Sequence, residues 1–246
     1  MTGTTYTMNF TNNSSNAWNF CCYQKDPGIL DQGAMSAAWF VAPIVHSTTH
    51  VNFSWTIDYG LTWSQSGKIG PGIVYNASQN WSVDAAENTV TLTKSGGTYT
   101  FDNQRQKDPA GAFNIVQDST IVPQDGVGIG ISMQVQGSGS SGLNPIYVQN
   151  AQPNIQTQFT VTPKYYVVFM QDIQPSEILN VATMTNTVEV PYDVGVYSMS
   201  VTLNAQNLWQ VGTTASVNAA VTTARIDKPE TTRAAVAADA LPVLPS

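Results

Sequence analysis

Charge is scarce in this chain: Asp, Glu, Lys and Arg make up 10% of its 246 residues, where a soluble domain ordinarily carries about 25%. Thr, Ser, Asn, Gln and β-branched residues take their place, the composition of sheets with neutral polar faces. The same scarcity removes most of the material from which acid–base, metal and phosphate sites are built.

Period-2 alternation of apolar and polar residues then marks out short strands over Thr4–Phe10, Trp18–Gln24, His50–Ile57, Val90–Thr93, Tyr99–Phe101, Val127–Val135, Gln158–Thr162, Tyr165–Met170, Val196–Leu203 and Ala215–Thr223. Turn chemistry separates them at Asp26-Pro27-Gly28, Ser95-Gly96-Gly97, Gln124-Asp125-Gly126 and Asn204-Ala205-Gln206-Asn207. The strongest hairpin signal lies at Ser95-Gly96-Gly97, which allows Val90 and Leu92 to face the same side as Tyr99 and Phe101. Gly137–Gly142 reads as a flexible loop or hairpin extension, because strand-like sequence resumes on both sides. Two short segments, Ala34–Val41 and Ser176–Met184, read as helical. The expected fold is all-β, an antiparallel β-sandwich of about a dozen short strands. Residues 1–226 form one domain, and residues 227–246 form an Ala/Pro-rich, flexible tail. Within that tail Leu241, Val243 and Leu244 are the apolar residues able to dock on a neighbouring subunit.

Several function classes are disfavoured by the residues themselves. Only nine Lys and Arg occur, scattered singly, against a net charge of −7, too few for counterion release from phosphates, so no nucleic-acid partner is expected. Met1–Thr11 has neither a basic nor an apolar block, so no signal peptide is expected there, and the chain is read as cytoplasmic or exported by another route. No apolar run approaches the ~18 residues of a membrane-spanning helix. Cys21 and Cys22 are adjacent in a strand, pointing to opposite faces, and read as two half-buried free thiols. His46 and His50 stand four apart beside Ser47-Thr48-Thr49 and Pro43, a loop entering a strand, with no HExxH, so no metal or other cofactor is expected. No GxSxG elbow supports a nucleophilic serine. Gly126, Gly128 and Gly130 alternate with Val127, Ile129 and Ile131, which fits a strand closely approached by another chain or a bulky ring rather than a phosphate loop. Asp58 and Asp102 sit in aromatic, strand-like surroundings, but nothing in the sequence brings them to one cleft as sugar hydrolysis would need. No enzymatic constellation emerges.

The aromatic residues offer more. Trp18, Trp39 and Trp55 suit the core, while Trp63 and Trp81, with Ser, Gln and Asn neighbours, are the better candidates for exposed rings that stack on glycans.

Asn12-Asn13-Ser14-Ser15-Asn16-Ala17, Tyr23-Gln24-Lys25-Asp26-Pro27, Ala38-Trp39-Phe40, Trp55-Thr56-Ile57-Asp58-Tyr59 and Trp63-Ser64-Gln65-Ser66-Gly67 resemble the RhiA-like family, named for a protein induced in the rhizosphere. The likeness continues through Pro71-Gly72-Ile73-Val74, Val127-Gly128-Ile129-Gly130 and Val196-Tyr197-Ser198-Met199, and stops before the tail. It implies a soluble protein linked to life outside the cell or with a host, and brings no catalytic residue set. The expected function is non-catalytic: a structural or interaction protein that associates with itself. A carbohydrate-binding module is the alternative and a membrane-active sandwich the third reading.

Overall fold

The structure is a computed structural model that describes residues 4–25, 33–107, 111–137, 140–161, 163–214 and 233–234. Its strands in chain order are β1 (Thr5–Asn12), β2 (Trp18–Gln24), β3 (Met35–Ser36), β4 (Ala38–Val45), β5 (His50–Thr56), β6 (Tyr59–Ser64), β7 (Gln79–Val83), β8 (Thr89–Ser95) and β9 (Thr98–Arg105). They continue with β10 (Ala112–Gln117), β11 (Gly128–Gly137), β12 (Ser140–Asn150), β13 (Ile155–Thr160), β14 (Tyr165–Met170), β15 (Thr187–Val190), β16 (Ser198–Leu203), β17 (Trp209–Thr213) and β18 (Arg233–Ala234). The fold is all-β. A ten-stranded sheet runs β18-β17-β16-β1-β5-β11-β12-β3, with β6 joined to β11 and β7 to β6; two four-stranded sheets run β13-β10-β8-β9 and β15-β14-β2-β4.

Aromatic rings bond these layers together. Phe10 on the large sheet stacks on Phe20 of β2, and Phe53 stacks on Phe40 of β4, each with centroids 4.1 Å apart. On the other flank Trp63 tilts against Tyr99, Trp81 meets Phe101 edge-on, and Tyr59 lies against Phe113. The polar ends of the central rings are satisfied as well: Trp39 Nε1 donates to the Met133 carbonyl at 3.0 Å and Trp55 Nε1 to the Tyr165 hydroxyl at 2.8 Å, as buried indoles and phenols require.

The expected hairpin at Ser95-Gly96-Gly97 is present. Both glycines have positive φ, Leu92 pairs with Phe101, and Val90, Leu92, Tyr99 and Phe101 are all buried. The 3-10 turn Pro123–Asp125 is pinned beside it, because Lys94 Nζ and the Tyr99 hydroxyl both donate to Asp125 Oδ2, at 2.5 and 2.7 Å. Gly137 and Ser140 close the β11–β12 hairpin, as the hairpin-extension reading of that glycine-serine stretch requires.

Two expectations are corrected. Ala34–Val41 is not helical but forms β3 and β4, and its periodicity is hidden by burial on both faces. Trp39, Phe40 and Ala42 enter the main core while Ala38 and Val41 join a second cluster with Cys21, Tyr23 and Val168. A register break opposite Cys22 and Tyr23 turns two consecutive rings to one side, as a bulge does. Ser176–Met184 is likewise not a helix. Ser176 has φ of +63° in a turn, Glu177 and Ile178 bridge to Val74 and Ala37, and a second turn follows at 181–183; Ser176 N to Ala38 O and Leu179 N to Ser36 O tie the segment to β3 and β4, where it covers that second cluster. Most strand pairs are antiparallel, as expected, and two are parallel, β1 with β16 and β8 with β10. The predicted strand Ala215–Thr223 and the docking residues Leu241, Val243 and Leu244 lie outside the described residues.

Candidate functional site

One cleft of about 290 Å³ opens where β10, the end of β12, the turn after it and the edge strand β13 meet. Its wall consists of Gly33, Gln117, Gln149, Asn150, Gln152, Ile155, Gln156 and Thr157. The register places them together: β10 and β13 pair with Val116 opposite Gln156 and Ile115 opposite Thr157. Alternation then turns Gln117 and Thr157 inward, where both are buried.

At the centre is the Thr157 hydroxyl. Its oxygen accepts from Gln117 Nε2 at 2.9 Å and from Gln149 Nε2 at 2.8 Å. Both lone pairs are thereby used, and no acceptor among the described residues takes its proton. Gln149 Oε1 is buried and has no hydrogen-bond partner. Turning that amide over exchanges the roles and still leaves one amide atom unpaired, at a cost of roughly 1–3 kcal/mol. The remaining wall groups are held in place: Gln117 Oε1 accepts from Gln152 N at 2.7 Å, Asn150 Oδ1 from Ile69 N at 3.0 Å, and Gln156 Nε2 donates to Asn114 Oδ1 at 2.9 Å. Lys107 donates to Gln156 Oε1. Carboxamides and a hydroxyl donate and accept hydrogen bonds but do not titrate near neutral pH. The wall therefore presents hydrogen-bonding groups that carry no charge near neutral pH.

The residues singled out in the sequence lie elsewhere. Trp63 is 7% exposed, with Nε1 on Gln79 Oε1 at 2.8 Å, and Trp81 is half-buried against Phe101. The exposure expected of Trp63 is thus corrected, while Trp81 keeps part of its surface open. Their polar neighbours alternate to the opposite side of β6 and β7, so Ser and Gln beside a Trp mark the far face rather than the ring's own surroundings. Trp39 and Trp55 are fully in the core, and Trp18 packs half-buried against it.

His46 and His50 are exposed, His50 Nδ1 meeting Thr11 Oγ1 at 2.9 Å. Among the described residues no three His, Cys, Asp or Glu side chains group as a metal site would. Cys21 and Cys22 are free and buried on opposite faces of β2, and burial pushes both thiols well above their usual range. Asp58 lies in the bend after β5, where it accepts from the Thr56 hydroxyl, and Asp102 accepts from the Asn103 amide on β9. The glycine alternation has the close approach expected of it: Gly128 faces the Tyr75 ring and Ile69, and the Tyr75 hydroxyl reaches the Gly128 carbonyl at 3.3 Å.

Two uncharged strands complete the inventory. The edge strand β13 (Ile155–Thr160) and β17 (Trp209–Thr213), next to the outermost β18, contain no charged residue and no proline. At β17 a strand is already added, with Ala234 opposite Gln210 and Arg233 opposite Val211. No described helix is long and apolar enough to cross a membrane.

The model of the RhiA family matches residues 3–214. Protein RhiA of Rhizobium leguminosarum bv. viciae is 29% identical over 211 residues, covering 85% of this chain and 87% of that protein. No solved structure gives a significant match. The matched span takes in every strand from β1 to β17, the three-sheet core and the whole amide-lined cleft, and so the chain belongs to the RhiA family.

Proposed function

We propose that this protein is a non-catalytic, self-associating structural or interaction protein connected with extracellular or host-associated life. The observation that carries the proposal is the character of its sheet edges. Strand edges expose rows of unpaired N–H and C=O groups, and proteins that stay monomeric protect them with lysines, prolines or inward charges. The edge strand β13 carries none of these, and β17, equally bare, pairs at Gln210 and Val211 with a segment of the C-terminal stretch. An added strand gains backbone hydrogen bonds whatever its side chains, so the edge of β13 suits a strand from another copy, and β17 suits one that takes the place of its own β18. Family membership supports the host-associated part of the reading.

Light scattering of the full chain, of a chain ending at Arg225, and of a Thr160→Lys, Gln210→Lys variant tests the proposal. Both substituted side chains are exposed, one on β13 and one on β17. The expected result is an oligomer that the lysines dissociate. A monodisperse monomer at high concentration overturns self-association, whereas an oligomer unchanged by truncation removes only the C-terminal stretch from the mechanism. The glycan-binding alternative through Trp63 and Trp81 is disfavoured by their packing.

A further inference from the structure

We infer that the cleft between β10, β12 and β13 is a binding site for an uncharged, multiply hydroxylated ligand of the size of one sugar ring. Whichever way the Gln149 amide is turned against the Thr157 hydroxyl, one of its two polar atoms stays buried without a partner. A ligand hydroxyl is donor and acceptor at once and suits either atom; a carbonyl or an ammonium suits only one. The surrounding amides of Asn150, Gln152 and Gln156 supply further mixed donors and acceptors, and Ile155, 43% exposed, offers an apolar contact for the C–H face of a ring. No described wall residue bears a charge, so a carboxylate or phosphate entering the cleft finds no direct counter-charge among them. The Lys107 ammonium is engaged on Gln156 Oε1. A volume of about 290 Å³ holds several waters at roughly 30 Å³ each and lies at the small end of ligand pockets. Without an aromatic ring in its wall the site binds weakly, in the millimolar range.

Saturation-transfer difference NMR on the full chain, with D-glucose, D-galactose, D-mannose and D-glucuronate as probes, tests this inference whatever the oligomeric state. Two variants accompany the wild type. Thr157→Val keeps the side-chain shape and removes the central hydroxyl, and Gln152→Ala removes an exposed wall amide. Circular dichroism and the thermal midpoint check that each remains folded. The expected result is transfer to at least one neutral hexose, weakened roughly tenfold by Thr157→Val and several-fold by Gln152→Ala, about what one or two lost hydrogen bonds amount to. Absence of transfer to all three hexoses overturns the inference, because the cleft then holds water only. Transfer equal in wild type and both variants overturns the site, and tighter binding of glucuronate than of every hexose overturns the ligand class.

Discussion

Replacing Gly130 by alanine places a methyl group against backbone that cannot yield. The added Cβ stands 2.4 Å from the Tyr147 carbonyl oxygen and 2.9 Å from Val148 Cγ1, whereas close C···O contacts between adjacent strands sit at about 3.3 Å. The shortfall of roughly 0.9 Å must come from separating β11 and β12, which pair at Gly130 and Val148. A ladder opened by that amount loses about two hydrogen bonds, each worth roughly 0.5–1.5 kcal/mol, and adds overpacking strain of about 1–3 kcal/mol. Against this stands a gain of roughly 0.5–1 kcal/mol from removing a glycine inside a strand. The net expectation is a loss of about 2–4 kcal/mol, or roughly 5–15 °C in the thermal midpoint of a chain this long. Urea unfolding followed by tryptophan fluorescence measures it. Gly128→Ala is the internal contrast, because its Cβ meets the Ile69 side chain at 2.5 Å rather than backbone. Adding Ile69→Ala to Gly128→Ala is expected to destabilise less than the sum of the two by about 1 kcal/mol, while Val148→Ala does not rescue Gly130→Ala. A Gly130→Ala protein within about 0.5 kcal/mol of wild type, a change ordinary for surface substitutions, refutes the reasoning, as does rescue by Val148→Ala.

Three further outcomes follow from the same structure. Ile44 is 60% exposed and holds φ of +47°, a region that penalises β-branched residues by roughly 1–2 kcal/mol, so Ile44→Gly should raise the urea midpoint; a lower midpoint contradicts the strain. Tyr165→Phe removes the acceptor of the buried Trp55 indole and should cost about 1–3 kcal/mol, measurable by the same unfolding, and an unchanged midpoint would deny that bond a role. The Lys94 ammonium, and after it the Tyr99 hydroxyl, hold the Asp125 carboxyl below the usual range. Its folded value lies under its unfolded one, so its stabilisation is present above the unfolded carboxylate value and is lost as pH falls through the folded one. Wild type should therefore be more stable than Asp125→Asn at neutral pH and converge with it in acid. A gap that widens on acidification reverses the sign and the argument.

The fold was most legible where a strand keeps one face wet. β1, β5, β8, β9 and β16 alternate because one side meets the core, and the Ser95-Gly96-Gly97 turn fixed the register of its hairpin. β2 and β14 were found nearly to the residue even though both faces are covered, since turn residues bound them. β4 was lost for the opposite reason. Its second cover, residues 171–184, makes Ala38–Val41 apolar throughout, and a continuous apolar run reads equally well as a buried helix. The parallel neighbours β1–β16 and β8–β10 were out of reach, because long-range pairing leaves no local signal.

The candidate site was illegible for a chemical reason. Searches for sites look for titratable groups at fixed spacings, and this cleft is assembled from carboxamides and one threonine on three separate stretches. A trace did exist: six amides, Gln149, Asn150, Gln152, Asn154, Gln156 and Gln158, crowd the eleven residues from Val148 to Gln158, a density that neither a turn nor an edge strand requires. What turns that composition into a site is register, which seats Thr157 between Gln117 of β10 and Gln149 of β12 and leaves one amide atom of Gln149 unspent. In a chain so poor in charge, unpaired neutral dipoles are the groups with most to gain from a ligand. Their burial, rather than the exposure of tryptophans, is where recognition is to be sought.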